Sequence, residues 1–146
     1  MKMSNLIVFY GEKEILPIVK KYQNMYQSHI YQIKVKNSQD KGFINRFKIT
    51  YLNEKIAVER CPFDLLKYDN IIVISTLWFN ELPKPLIKFL EQQAGRIKKV
   101  SYVLYNNNKK DHEQEFQKMD RILNLRRDKS YFVSITKEDI HVRVYQ

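Results

Sequence analysis

The stretch from Leu66 to Leu90, LKYDNIIVISTLWFNELPKPLIKFL, joins an apolar run to a polar-aromatic loop and then to a proline-started helix. Ile71, Ile72, Val73 and Ile74 form an unbroken β-branched run, which suits a parallel strand covered on both faces better than a half-solvated one. The strand is expected to end at Ser75. Pro83 and Pro85 fix φ, and Leu86, Ile87, Phe89 and Leu90 recur at helical spacing, so a helix is expected to start close to Pro85. The intervening loop, Ser75, Thr76, Leu77, Trp78, Phe79 and Asn80, then falls at the carboxyl edge of a central strand, where open α/β sheets bind their ligands.

Strands and helices alternate outward from this unit. Leu6 to Tyr10 reads as a first strand, and Ile15, Ile18, Val19, Tyr22 and Met25 mark one face of a first helix. Ile30 to Val35 alternates like a second strand, and Asn37 to Asp40 is a polar loop. From Lys41 to Glu59 two periods overlap: Phe43, Ile44, Phe47 and Tyr51 have helical spacing, whereas Ile49, Tyr51 and Ile56 also fit an extended chain. A short helix plus irregular chain is expected there. Val100 to Tyr105 forms a fourth strand, Phe116, Met119, Ile122 and Leu123 the stripe of a helix, and Ser130 to Ile135 a fifth strand. This alternation implies an α/β sandwich of three layers with right-handed crossovers in one domain, 1–146. Thr136 to Gln146 is too short for a further full helix. Its Ile140, Val142 and Val144 alternate with His141, Arg143 and Tyr145 in a strand-like period.

The central segment resembles the flavodoxin-like superfamily, whose members carry Tyr-Asp, an apolar strand, a Thr-Pro-x-Trp-type loop, a Pro-rich helix start and Phe-Leu-Glu. The matching residues are Tyr68-Asp69, Ile71 to Ile74, Thr76-Leu77-Trp78-Phe79, Pro83-Lys84-Pro85 and Phe89-Leu90-Glu91; Leu77 stands where many relatives have Pro. The resemblance implies a five-stranded parallel sheet in the order 2-1-3-4-5, with the fifth helix of the family missing. It also implies FMN as cofactor, the loop Thr76 to Asn80 along one side of the flavin ring, and Trp78 or Phe79 as the aromatic contact. Alternatively, Trp78 and Phe79 cap the apolar edge of the sheet.

Two walls of such a site depart from the family pattern. After the first strand, flavodoxins hold the cofactor phosphate with Ser and Thr hydroxyls and loop amides at a helix start. This chain reads Phe9-Tyr10-Gly11-Glu12-Lys13-Glu14-Ile15-Leu16-Pro17, which leaves Tyr10, Gly11 and Lys13 as the candidates on the phosphate side. Pro17 belongs in a first helical turn, so the helix is expected to begin near Leu16. Glu12 and Glu14 suit the positive end of that helix, but each would repel a phosphate charge about 5 Å away by roughly 3 kcal/mol at an effective dielectric near 20. After the fourth strand, Tyr105 could stack on the outer face of a ring, and Asn106 and Asn107 could reach its pyrimidine edge. The same Asn run is ordinary turn chemistry, with Asp111 as the cap of the next helix.

Composition narrows the partners. The net charge is +10, from 26 Lys and Arg against 16 Asp and Glu, spread over scattered pairs such as Lys20-Lys21, Lys98-Lys99 and Lys109-Lys110. Electron-carrying flavodoxins are usually acidic, so an acidic protein or an anionic ligand is the expected partner; no nucleic-acid motif accompanies the charge, and nucleic acid is not expected. Cys61 is the one cysteine, which excludes an internal disulfide and suits a reducing cytoplasm; it reads as a packed residue. The amino-terminal apolar run, Leu6 to Phe9, is too short for a signal-peptide core, and no stretch approaches the roughly 20 apolar residues of a membrane span, so a cytoplasmic protein is expected. His29, His112 and His141 lack metal-ligand spacing. Two functions stay open: an FMN-binding oxidoreductase or electron carrier serving a redox partner protein or a small acceptor such as a quinone, and a flavin-free module that binds a protein. With the fifth helix missing, residues Tyr131 to Ile135 are expected to be exposed on one face; the segment Asp139 to Tyr145 could shield part of them as an extra strand or cross to a second subunit, and a symmetric homodimer is the expected outcome.

Overall fold

The structure, a computed structural model, describes residues 5–106, 112–135 and 140–145, of which Ile135 and the last segment are described by backbone alone. Strands β1 (Asn5–Tyr10), β2 (His29–Gln32), β3 (Asn70–Thr76), β4 (Val100–Asn106), β5 (Ser130–Ile135) and β6 (Ile140–Tyr145) alternate with helices α1 (Leu16–Tyr26), α2 (Phe43–Tyr51), α3 (Lys84–Gln93) and α4 (Glu113–Leu123). They form one sheet in the order β2-β1-β3-β4-β5-β6. The first five strands are parallel, so the order 2-1-3-4-5 is as expected, and β6 adds an antiparallel sixth strand against β5.

The continuous β-branched run sits where its chemistry requires. Ile71, Ile72, Val73 and Ile74 are all buried, since β3 is flanked by β1 and β4 and covered on both faces. One layer consists of α1 over Ile7, Phe9, Ile72, Ile74, Val103 and Val133. The opposite layer is larger and gathers Leu86, Phe89 and Leu90 of α3 with Phe116, Met119 and Leu123 of α4. Burying each of these large side chains stabilises the fold by about 1.5–3 kcal/mol. Pro83 is the N-cap of α3 and Pro85 lies in its first turn, where a missing N–H goes unnoticed.

Three expectations change, and one open stretch is resolved. Met25 is exposed instead of facing the sheet. At about 100° per residue, Tyr26 lies nearer the centre of the Ile15, Val19, Tyr22 stripe than Met25 does, and Tyr26 packs against that layer. The second strand stops at Gln32 rather than Val35, because the chain leaves the sheet edge and pairs antiparallel with 57–59: Lys36 N donates to Ala57 O at 2.8 Å and Glu59 N to Lys34 O at 2.7 Å. Ile33 and Val35 are buried there, so the same alternation is satisfied by another partner. The ambiguous stretch does contain the short helix expected, α2, in which Phe43, Ile44, Phe47 and Tyr51 point outward and only Ile49 is buried. Finally, on the α1 face of β5, Val133 is buried and Tyr131 half-buried rather than exposed, and β6 pairs with the β5 edge within the chain. Among the described residues, no helix is long and apolar enough to cross a membrane.

Candidate functional site

The carboxyl ends of β1, β2 and β3 open onto a cavity of about 290 Å³, lined among others by Tyr10, Gly11, Lys34, Asp40, Arg46 and Thr76. It lies beside the point where the strand order reverses, the position favoured for ligands in sheets of this kind. Gly11 is required there: its φ is +149°, and an added Cβ would lie 3.0 Å from Ile15 Cγ2 and 3.3 Å from Thr76 Cγ2. The short loop then forms a 3-10 turn, Lys13–Ile15, and α1 begins at Leu16 with Pro17 in its first turn, as expected. Lys13 is exposed on that turn.

The floor of the cavity is polar and fully engaged. Tyr10 is buried and its hydroxyl donates to Asp40, itself buried. Burial first, and then the Asp40 hydrogen bond, push the Tyr10 phenol far above its ordinary range, so it remains a neutral donor. The wall comes from the segment that sequence left ambiguous. Arg46, on α2, donates through Nε to the Asp40 carbonyl at 3.0 Å and through a terminal nitrogen to Glu12 Oε2 at 3.2 Å. Lys41 reaches the same Glu12 oxygen at 3.4 Å. The Arg46 guanidinium also lies 5.2 Å from the centroid of Trp78, a cation–π contact. Asp40, Lys41 and Arg46 were missed from sequence; the available signal was a lone arginine inside an aromatic-rich helical stripe, preceded by Asp-Lys-Gly.

The loop after β3 divides into a buried and an exposed half. Ser75, Leu77 and Trp78 are buried, and the Ser75 hydroxyl donates to Thr76 O at 2.7 Å. Trp78 meets Tyr10 edge-on at 5.8 Å, and its buried Nε1–H has no hydrogen-bond partner among the described residues. The expected place for Trp78 at the carboxyl edge is correct, but the indole belongs to the core, and Tyr10 and Arg46, which touch it, line the cavity. Phe79 and Asn80 form the tip of a tight turn. Trp78 and Glu81 exchange backbone hydrogen bonds of 2.9 and 2.8 Å, and φ is +52° at Phe79 and +64° at Asn80. Such turns favour Asn-Gly, so a phenylalanine in the first position is strained by about 1 kcal/mol or more. Its ring is held by three others from α2: Phe43 at 5.4 Å, Tyr51 at 5.4 Å and Phe47 at 6.3 Å. Phe43, Phe47 and Tyr51 remain exposed, a row of aromatic surface at i, i+4, i+8.

The third wall is only partly assembled. Tyr105 packs in the α1 layer, where burial, and then the nearby Glu14 carboxylate, raise its phenol pKa. Phe79 belongs to the opposite layer, so the two aromatics flank the sheet edge from either side. Asn106 Nδ2 donates to Asn80 Oδ1 at 2.8 Å, which ties the loops after β3 and β4 together. Asn107 and Asp111 lie outside the described residues, and the N-cap position of α4 is held by His112. Cys61, half-buried, donates to the Phe63 carbonyl, and burial pushes its thiol up, the state of a packed residue.

No protein-family model matches this sequence, and no curated protein matches it. Solved structures do. A flavoprotein from Lactobacillus acidophilus in complex with FMN superposes with a TM-score of 0.64 at 16% identity, over 84% of this chain and 87% of that one. Its apo form, determined by NMR, gives a TM-score of 0.67 at 19% identity, over 86% and 90%. A candidate flavoprotein from Bacteroides uniformis gives 0.70 at 16% identity, over 94% of this chain and 95% of that one. Agreement of strand order, helix placement and overall superposition with these structures establishes that the chain has a flavodoxin-like fold.

Proposed function

We propose that this protein binds FMN at the carboxyl edge of its sheet and passes electrons through it to a redox partner protein or a small acceptor such as a quinone. One observation carries the proposal: a single helix, α2, presents a cation to the cavity through Arg46 and an aromatic surface beside it through Phe43, Phe47 and, with them, Phe79. A flavin mononucleotide has the same division into an anionic end and a flat aromatic end. The flavoprotein of L. acidophilus, with the same fold, is described in complex with FMN.

The residues present fit that group. The cations lining the cavity, Lys34, Lys41 and Arg46, suit its phosphate end, while the exposed Phe43, Phe47 and Tyr51, beside the half-buried Phe79, offer rings for stacking. When bound, the flavin supplies the redox chemistry, and no side chain need act as acid or base. Tyr10 and Asp40 hold the cavity floor. The Asn80–Asn106 hydrogen bond keeps the Phe79 turn in place, and the α2 rings exclude water from one side of it. A basic chain of net charge +10 favours an acidic partner.

A second reading is favoured by one observation. Phe43, Ile44, Phe47, Tyr51 and Leu52 are all exposed, an apolar row of the kind found at protein interfaces, and a flavin-free module would use it for docking. The two readings separate on titration of purified protein with FMN. Quenching of flavin fluorescence with a saturable curve supports the cofactor site. No response up to millimolar FMN leaves the interface reading.

A further inference from the structure

The first loop carries its own anions, and each occupies a donor that a ligand would otherwise use. Glu14 Oε1 accepts the Glu12 amide at 3.2 Å. Glu12 Oε2 accepts Arg46 at 3.2 Å and Lys41 at 3.4 Å. Lys41 comes from the connection between β2 and α2, and Arg46 from α2 itself, rather than from the first loop.

We propose that Arg46 and Lys41 form a seat for a phosphate monoester, and that Glu12 is its resident, displaceable occupant. The proposal rests on the FMN reading, because FMN is the phosphate monoester which that reading supplies. Arg46 is pre-oriented: its Nε is fixed on the Asp40 carbonyl and its guanidinium carbon sits over the Trp78 ring, while a terminal nitrogen reaches Glu12. A guanidinium that holds a carboxylate oxygen can hold a phosphate oxygen in the same geometry. The resident pair is weak, since the side chains of Glu12 and Lys41 are 46% and 59% exposed, and a displaced Glu12 remains hydrated. A phosphate monoester carries more charge than the carboxylate it replaces. The other charges of the cavity agree: Lys34, Lys41 and Arg46 balance Glu12, Asp40 and Glu59, so departure of Glu12 leaves three cations facing two carboxylates. Asp40 is further occupied by the Tyr10 hydroxyl. The missing hydroxyls of the first loop are thus replaced by cations from a different element, with a built-in competitor that lowers affinity and rejects weaker anions.

The test compares FMN with riboflavin, which has the ring and lacks the phosphate, by fluorescence titration of the parent, Glu12→Gln, Lys41→Gln and Arg46→Gln. Glu12→Gln is expected to tighten FMN by about tenfold and to leave riboflavin unchanged. Lys41→Gln and Arg46→Gln are expected to weaken FMN alone; the exposed Lys41 keeps the test valid if Arg46→Gln folds poorly. A parent that binds FMN, with a Glu12→Gln variant that shifts FMN and riboflavin equally or shifts neither, overturns the seat and leaves the FMN reading standing. If no form binds either flavin, the FMN reading fails, and melting with inorganic pyrophosphate decides the seat. Greater stabilisation of Glu12→Gln than of the parent, cancelled by adding Lys41→Gln, upholds it; equal melting overturns it.

Discussion

Arg46 and Arg127 occupy matching circumstances at two places in the molecule. Each donates to a carboxylate, at 3.2 Å to Glu12 for Arg46 and at 2.7 Å to Glu113 for Arg127. Each lies over an aromatic ring, 5.2 Å from Trp78 or 5.4 Å from Phe116. Each also faces a buried tyrosine, Tyr10 or Tyr102, whose phenol burial pushes up and the arginine draws partly back. They differ in solvent: the Arg127 side chain is 9% exposed and that of Arg46 is 31%. Arg127 is also held by Asp120 at 3.0 Å, whereas the second partner of Glu12 is a half-exposed lysine. The same chemistry therefore serves two ends. Where the guanidinium is nearly covered and held by two carboxylates, losing it strands their charge and the cluster is structural; where the cation and its partners are more exposed, partners can exchange and the cluster can bind.

The largest effect should come from Arg127. Replacing it with Met leaves Glu113 and Asp120 without their guanidinium, and a loss of about 3–5 kcal/mol is expected, roughly 10 °C in Tm. Arg46→Met should lose much less. Equal losses in denaturant melts would show that burial does not separate the two clusters.

Alkaline pH should act on the buried tyrosines, including Tyr10 and Tyr102 beside the two arginines. Tyr22 and Tyr31 are pushed up to about 12, mainly by burial, and Tyr10 and Tyr102 are raised further. A pKa raised in the folded state stabilises the protonated form, so this contribution is complete below pH 10 and is lost as pH rises through 12 and beyond. Tm should hold to about pH 10 and then fall together with the appearance of tyrosinate absorbance. Ionisation of these four residues with unchanged Tm would contradict their burial.

A smaller effect tests strain beside the exposed cluster. At φ +52°, Phe79→Gly should be more stable than Phe79→Ala by about 1 kcal/mol, the reverse of the order at an ordinary position, and both should lose flavin binding. An alanine variant as stable as the glycine variant would remove the argument for a strained turn. The smallest change is expected for Glu12→Gln, about 0.5 kcal/mol in urea melts, as for other exposed pairs. A loss above about 2 kcal/mol would place Glu12 with the buried cluster and make it an unsuitable displaceable ligand.

The sequence alone determined the elements whose cause is local. The β-branched run of β3, the prolines that start α1 and α3, the stripe of α4 and the strand-like terminal segment are legible because backbone restriction and side-chain period act within a few residues. Only the tertiary structure decided which partner satisfies a pattern. Ile33 and Val35 alternate equally well in a sheet or against 57–59, so the end of β2 was not legible. The spacing of Phe43, Phe47 and Tyr51 marks a helix but not which way it faces; they point to solvent, because Ile49 and the Arg46 contacts dock the helix. In the loop after β3, adjacent Trp78 and Phe79 have similar chemistry, and the positive φ of the turn sends one into the core and the other onto the surface. Arg46 became a site residue through contacts with Asp40, Glu12 and Trp78, which lie 6, 34 and 32 positions away. Only folding brings charges at such separations together, since neither period nor composition records which residues will share a cavity.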